Sequence, residues 1–368
     1  MKPCTACKQR CFQMSALFFT FFSVLCGCAM MGPKSISMGR MDYNTAINKT
    51  EDEQLLLAIV RERYGETFSL LTVNSVAANF NFSANAGIQA GFGPSESYAG
   101  NLVPFSSGMA YEENPTISYA PLQGPKYLRQ LLAPIPLDIL VLFIRSGTHS
   151  DRYLTMIASR INDIQNPDFD YSPSTEPEER FQRFVTLNSQ LTQAGIIQWL
   201  ADPQKKASFD LMIANYAPEH TQAVVEYLNL LGIDMPADRS ADIFLPVYFA
   251  VKTDQLDGVA ISTRSTYDLI RIAKAAIHIP LEHSEQGIAL DSPLPGLAGK
   301  FVQIHSSKSK PSQATVAINY RDHWFYIKEN DMHSKLFYRM VRRLCTFSIA
   351  TATADDANMP VMTLPVSR

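Results

Sequence analysis

The sequence predicts an α+β fold: a long N-terminal β-hairpin with helices, followed by a mixed α/β C-terminal subdomain. Three observations predict it. From Asn79 to Phe92 the chain alternates strictly, with Phe80, Phe82, Ala84, Ala86, Ile88, Ala90 and Phe92 at even positions and polar residues or Gly at odd ones; a period of two is that of a strand with two different faces. Apolar residues at helical spacing recur before and after that stretch, as at Leu56, Ile59, Val60 and Tyr64. Beyond residue 178, helical segments alternate with short β-branched runs, and no fixed-period repeat is present.

The first residues carry a different signal. Lys2, Lys8 and Arg10 precede an apolar run from Met14 to Leu25. It is about a dozen residues long, short of the roughly 20 that a permanent spanning helix needs. Leu25-Cys26-Gly27-Cys28 follows and resembles the lipobox of bacterial lipoproteins, in which the last Cys is acylated and becomes the new N-terminus. The expectation is a cleaved signal peptide over 1–27 and a lipidated tether over 28–41, with Cys28 as the lipidation site. An ordinary signal peptide or an N-terminal membrane anchor is the alternative. Ala29 and Met30 lack the Asp that resembles an inner-membrane retention signal, which implies the outer membrane of a two-membrane bacterium, with the body facing the periplasm. Several acyl chains anchor firmly at about 0.8 kcal/mol per buried methylene.

Cysteine usage fits that expectation. Cys4, Cys7, Cys11 and Cys26 would leave with the signal, and Cys28 would carry lipid, so Cys345 would be the one free thiol. The packed core, not disulfides, must then hold the fold. Loss of Lys2, Lys8 and Arg10 takes the formal charge from −3 to −6. That mild acidity argues against nucleic acid as a partner and against electrostatic attachment to anionic lipid.

Along the chain, Thr50-Glu-Asp-Glu53 reads as a capping box ahead of a helix ending at Gly65, and 42–165 reads as a subdomain of helix plus hairpin. The hairpin's second arm resumes alternation at Tyr111, Pro115, Ile117 and Tyr119, with Pro115 on an open edge. Helices are expected over 137–144 and 151–164. The polar, Pro-rich stretch 166–178 is the expected linker, 179–353 the mixed α/β subdomain, and 354–368 a tail. Within the second half, helices are expected through Phe181–Leu191 and Val224–Leu228, from Ser265 to Ala276 and from Asn330 onward. Strands are expected at 209–214, 243–251, 259–263, 301–304, 315–320 and 324–327. The hairpin has two readings: an exposed sheet covering the body, or a membrane hairpin (about 79–121) in a ring of subunits, since each arm exceeds the roughly 9–11 residues a spanning strand needs.

Three stretches carry a resemblance. Asp42–Tyr64, Thr263-Arg-Ser-Thr-Tyr-Asp-Leu-Ile270, and Val316–Ile327 with Ser334-Lys335 and Met362-Thr-Leu-Pro365 together resemble an uncharacterised family of bacterial envelope lipoproteins with no assigned activity. The chain departs from that pattern at Ala58, at Glu62, and at Asp322, where the pattern has a turn Gly. No catalytic residue follows from the resemblance.

Chemistry-bearing motifs are sparse. Gly91-x-Gly93 lies in alternating sequence rather than between a strand and a helix, and Gly93-Pro-Ser95-Glu-Ser97 lacks the final Gly of a nucleophile elbow. The seven histidines form no ligand pair on a helix; His278 and His283 flank Pro280 without further ligands. The expectation is therefore no catalytic residue, no metal and no cofactor. Arg264 and Ser265, at a predicted helix start, are a candidate anion-binding pair, with an ion pair inside the fold as the commoner alternative. Trp324 and Tyr326 are candidates for ligand stacking, against core packing. These readings rank a non-enzymatic, outer-membrane-anchored scaffold or assembly factor with envelope-protein partners first. A homo-oligomeric export-pore subunit comes second and an envelope hydrolase third.

Overall fold

The computed structural model describes residues 31–67, 70–88, 105–122, 125–146, 150–169, 176–201, 209–214, 216–236, 241–250, 258–290, 292, 295–353 and 362–365. The expected signal peptide, Cys28 and the glycines at 91 and 93 lie outside the described residues. The chain divides into two compact units, Met1–Asp52 and Glu53–Arg368.

In the first unit the described residues are helical. Helix α1 runs Met31–Arg63, so the segment expected to be a flexible tether is helix as far as it is described. Thr50 does not open a helix; it lies inside α1, with its Oγ1 donating to the Ile47 carbonyl at 2.9 Å. A hydroxyl that can cap can also bond back along its own helix, and pattern alone does not separate the two. Pro33 falls in the first turn of α1, where a missing N–H costs nothing.

The second unit is α+β, as expected, with three sheets. Strands β1 (Leu70–Ile88) and β2 (Phe105–Leu122) form an antiparallel hairpin paired from Leu70↔Leu122 to Ile88↔Phe105, with one irregularity between Val73 and Ser75. Nineteen residues at about 3.3 Å each make an arm of roughly 60 Å. A third strand, β12 (Met362–Pro365), joins β2 antiparallel, with Met362 opposite Tyr119 and Pro365 opposite Thr116. Part of the expected C-terminal tail is therefore a strand, and β12 stops one residue short of Pro115. Among the described elements, the extensive neighbours of β1 and β2 are each other and β12.

The body is built on a six-stranded sheet of order β4-β3-β8-β7-β6-β5, in which β7 and β8 alone run parallel. Its strands are β3 (Ala158–Ile161), β4 (Ile164–Gln165), β5 (Ile197–Ala201), β6 (Phe209–Ile213), β7 (Ile243–Phe249) and β8 (Val259–Thr263). Ile197, Trp199, Leu211, Ile213, Ile243, Leu245, Val247 and Ile261 point into one core with the helices. Those helices are α2 (Pro125–Leu132), α3 (Leu137–Arg145), α4 (Ser150–Ile157), α5 (Glu176–Gln193), α6 (Thr221–Leu231), α7 (Thr266–Ala275), α8 (Leu281–Glu285) and α9 (Met332–Thr353). α5 and α6 meet where Phe184 stacks on Tyr227 at 5.0 Å, and the Tyr227 hydroxyl donates to Asn188 Oδ1 at 3.0 Å.

Four expectations are corrected here. The helix expected over 151–164 ends at Ile157, because the chain from Ala158 pairs with β8 as β3, and Asn162, at a left-handed φ of 48°, then makes the turn into β4. The stretch 166–178 does not separate two subdomains, since β3 and β4 precede it and β5 to β8 follow it in one sheet. The strand expected at 301–304 is not continuous: Phe301 closes a 3-10 turn over 297–301, Ile304 makes an isolated parallel bridge to Ile277, and the strand β9 follows at His305–Ser307. β5, directly after the Gly195 stop of α5, was not expected.

β9 joins β10 (Ala314–Tyr320) and β11 (His323–Lys328) in the third sheet, of order β10-β11-β9. Tyr320 pairs with His323 across a two-residue turn, and Arg321 and Asp322 sit at φ 49° and 61°. That geometry is the one in which Gly is ordinarily found.

Asn162 shows how the body fixes its own bends. Its Nδ2 donates to the carbonyls of Leu231 at 2.7 Å and Gly258 at 3.2 Å, while Oδ1 accepts from the Ala260 N–H at 2.7 Å. Asn162→Ala removes three buried partners and leaves a branched carbon in the left-handed region. It is expected to lower stability by about 3 kcal/mol. At about 2–4 °C per kcal/mol for a domain of this size, thermal denaturation should show a clear fall in Tm; an unchanged Tm would contradict this account.

Candidate functional site

Arg264 follows β8 and precedes the capping box of α7, where the Ser265 side chain accepts from the Asp268 N–H and the Asp268 carboxylate accepts from the Ser265 N–H. The guanidinium is 2% exposed. Nε donates to Asp168 Oδ1 at 2.6 Å; NH1 reaches the carbonyls of Thr155, Met156 and Ala158 at 2.9, 2.9 and 3.0 Å; NH2 reaches the Asn166 carbonyl at 2.6 Å. Burial pulls its pKa below the ordinary value, and Asp168 opposes that pull. The candidate anion site is therefore corrected. The donors of Arg264 are spent on the end of α4, on β3 and on the 166–168 loop, and the Ser265 hydroxyl donates to Asp268 at 2.7 Å. The ion pair inside the fold is what forms.

A second cluster was not expected at all. Tyr64, at the end of α1, places its hydroxyl 2.6 Å from His283 Nδ1. Burial raises the tyrosine pKa to about 12, so the hydroxyl keeps its proton and donates. His283 is held below its ordinary value first by desolvation and then by His323, so its Nδ1 accepts. The two imidazoles meet edge to face at 4.7 Å. His323 sets Nε2 3.1 Å from Glu282 Oε1 and Nδ1 3.2 Å from the Arg321 carbonyl. Glu282 also pairs with Lys308 at 3.0 Å, which lowers its pKa.

Around this cluster the turn of β10 and β11 is tied to the segment just before β1. The Tyr320 hydroxyl donates to Glu66 Oε1 at 2.6 Å, Arg321 NH2 donates to the same oxygen at 3.0 Å, and the Arg321 guanidinium lies 5.3 Å from the Tyr64 ring centre. One turn earlier, Glu62 accepts from the Tyr267 hydroxyl at 2.8 Å and from Lys274 Nζ at 3.0 Å. Glu62, at which the sequence departs from the resembled pattern, is thus an anchor to α7. The junction gathers residues from all three stretches that carry the resemblance: Glu62 and Tyr64, Tyr267, and Tyr320, Arg321, His323 and Phe325. Partners more than 200 positions apart, such as Tyr64 and His283, leave no local pattern in the sequence.

The remaining candidates resolve individually. Phe325 and Ile327 are fully buried, whereas Trp324 and Tyr326, on the alternate positions of β11, stay half-buried. Lys310 lies over the Trp324 ring at 5.3 Å, and Tyr326 lies 5.6 Å from the His305 ring. Cys345 is buried, and desolvation pushes its thiol to about 12, which keeps it from acting as a thiolate. No group of three or more metal-ligating side chains forms among the described residues. A cavity of about 660 Å³ opens between the start of α3 and β7, lined by Pro134, Ile135, Pro136, Leu137, Val247 and Tyr248. Its lining is mostly apolar, with Asp138 as the one acid. Tyr64 is hydrogen-bonded to His283 and Glu282 to His323, and the two pairs meet through ring edges rather than a hydrogen bond, so the arrangement fits a clamp better than a reaction centre.

No protein-family model, curated protein or solved structure matches this chain.

Two outcomes follow from this geometry. Arg264→Lys keeps a charge but cannot span Asp168 and four carbonyls with one ammonium. It should destabilise the body by about 3 kcal/mol, as removal of one partner from a buried ionic network does, and equilibrium denaturation checks it. The pH dependence comes from His283 and His305, both held below the ordinary histidine value, first of all by desolvation. The unfolded chain takes up protons near 6.5 while these folded imidazoles do not. Their contribution is thus fully present above about pH 6.5 and is lost as pH falls below it. The Tm should decline from pH 7 to pH 5, and His283→Gln should flatten the decline; a Tm that holds level in the unaltered chain refutes the assignment.

Proposed function

We propose that this chain is a subunit of an oligomeric pore of the bacterial cell envelope, anchored to the outer membrane by lipid on Cys28. Its body faces the periplasm and its β1–β2 hairpin enters the bilayer. The observation that carries this reading is the register of the hairpin. Val76 stands opposite Ile117, Phe82 opposite Tyr111, Ala84 opposite Met109 and Ile88 opposite Phe105, while Asn79 stands opposite Asn114 and Ser83 opposite Ala110. Directly opposed residues share a face of an antiparallel pair. The two alternating sequences are therefore in phase, one mostly apolar, with Ser107 opposite Ala86 and Glu113 opposite Phe80 at its root end, and the other mostly small and polar. This is the pattern of a strand pair between lipid and water with the Glu113 carboxylate at the rim.

A single hairpin cannot close on itself, and open edges do not persist in hydrocarbon. Several copies are needed to complete the wall, and this is why the pore reading implies a homo-oligomer. No helix among the described residues is long and apolar enough to cross a membrane, so the hairpin and the lipid are the two routes by which the reading joins protein to bilayer. The Tyr64–His283–Tyr320 junction lies immediately before β1 in the chain and gives the hairpin a rigid root. The resemblance to envelope lipoproteins agrees with the location and adds no activity.

The test uses the full-length chain expressed with its own N-terminus in a two-membrane bacterium. Palmitate should label it, Cys28→Ser should abolish label and outer-membrane recovery, and amine crosslinking in mild detergent should give a closed series of multimers. A monomer that still carries palmitate would replace the pore with the lipid-anchored scaffold. Undiminished label on Cys28→Ser would remove the anchor.

A further inference from the structure

We propose that β12 and Pro115 set the limit of contact between neighbouring copies, confining strand pairing to residues 79–88 of one copy and 105–114 of the next. The proposal rests on the pore reading and adds to it which edges meet and where the meeting stops.

The argument begins with the edges of the three-stranded sheet, whose order is β1-β2-β12. β2 has β1 on one side along its whole length. On its other side β12 occupies the backbone groups only at Thr116, Ile117, Ser118 and Tyr119. The next residue toward the tip is Pro115, which has no N–H to offer a ladder. From Glu113–Asn114 to Phe105 the outer edge of β2 has no partner among the described residues, and the same holds for the outer edge of β1. Each copy thus presents one free β1 edge and one free β2 edge of equal length, because Asn79 lies opposite Asn114 and Ile88 opposite Phe105.

The length of this free run is informative. A strand that crosses a bilayer at a tilt needs roughly 9–11 residues, and ten positions lie between the Pro115 stop and the last pairing at the tip. The composition follows the same limits. The run 79–88 has no charged residue, and the run 105–114 has only Glu112 and Glu113, both at its root end. Aromatic residues fall toward the two ends, Phe105 at the tip and Phe80, Phe82 and Tyr111 toward the root, with Ala84, Ala86 and Met109 between them. That is the distribution of a lipid-facing band with aromatic girdles. Unpaired N–H and C=O groups over such a run cost several kcal/mol each in hydrocarbon. The partner that carries the complementary edge at the same depth is a second copy of this chain. A free β1 edge meeting a free β2 edge is a head-to-tail contact, which closes into a ring where the rotation between copies closes and otherwise runs on as a filament.

β12 then acts as a spacer. Where it lies against β2, the β1 strand of the next copy is held one strand further out, at about 9–10 Å instead of about 4.8 Å. The strands of adjacent copies are parted at the root and joined toward the tip.

Disulfide trapping between two differently tagged, full-length chains co-expressed in one cell tests this. One chain carries Ser83→Cys and its mate a cysteine at each of residues 106–114 in turn; a second set combines Ala77→Cys with a cysteine at each of 116–119. A mixed-tag dimer is expected from at least one position in the first set, at least tenfold above every position in the second. Ending the chain at Val361, which removes β12, should bring residues 116–119 within reach. Amine crosslinking of the same cells reports the oligomer independently. Oligomer with equal trapping in both sets, or with none in the first, overturns the limit while leaving the pore intact. Absence of any oligomer removes both.

Discussion

A guanidinium taken fully out of water is the constraint on which the body depends. Arg264 leaves solvent only because five oxygens from three consecutive parts of the chain converge on it: the end of α4, the start of β3 and the loop at 166–168. Those carbonyls lie where regular elements end, and Arg264 shares their satisfaction with Asn166, whose Nδ2 also donates to Thr155 and Ala158 at 2.8 and 2.7 Å. The ion pair with Asp168 therefore stabilises less through its Coulomb attraction than through closure of a polar network in a low-dielectric setting, where a half-satisfied network is worse than none. The same residue begins the α7 cap, so the β8–α7 corner, the bend into β3 and the 166–168 loop are fixed together. The start of the apparent linker, at 166–168, is held to the body for this reason.

What could be read in the sequence follows from whether the controlling physics is local. The β1–β2 hairpin, the Ser265 cap and the β10–β11 turn are written within a few residues of where they act and form as expected, although β1 begins at Leu70, ahead of the alternation that starts at Asn79. The helix expected through 151–164 stops short because Leu154, Ile157 and Ile161 keep helical spacing while Ala158–Ile161 is taken up as a strand by β8, which lies far away in the chain. The 166–178 boundary failed for the same reason, with Arg264 as the distant partner. β12 was missed because a four-residue strand has no period long enough to detect. At the site level, pairing of Arg264 with an acid was a legible alternative, but its identity as Asp168 was not. The Tyr64 junction had no sequence signal beyond the resemblance of the three stretches that meet there.

That junction fixes the chain just ahead of the long hairpin. The Glu62 and Glu66 carboxylates and the Tyr64 hydroxyl take partners on α7, α8 and the β10–β11 turn. The last residues before β1 are thus tied at both flanks of the chain. Arg321 bears the strain of a left-handed backbone at φ 49°, and its guanidinium bonds to Glu66 and Tyr320 while lying over the Tyr64 ring. A glycine there would relieve the strain and lose all three contacts. The turn residue that looks unfavourable by itself is favourable as part of the hairpin's root.

A pair of strands some 60 Å long has few ways to hide its edges, and those ways are unequal. Packing on the body would protect the faces rather than the edges, and the extensive contacts of β1 and β2 among the described elements are with each other and β12. β12 protects four residues of one edge, too few to make the sheet self-sufficient and enough to define where protection ends. In water such a sheet would be prone to edge-to-edge association. In a bilayer the association becomes obligatory, because no solvent competes for the backbone groups. On the proposed pore reading, the same short C-terminal strand is what sets how much of the edge is left for another copy.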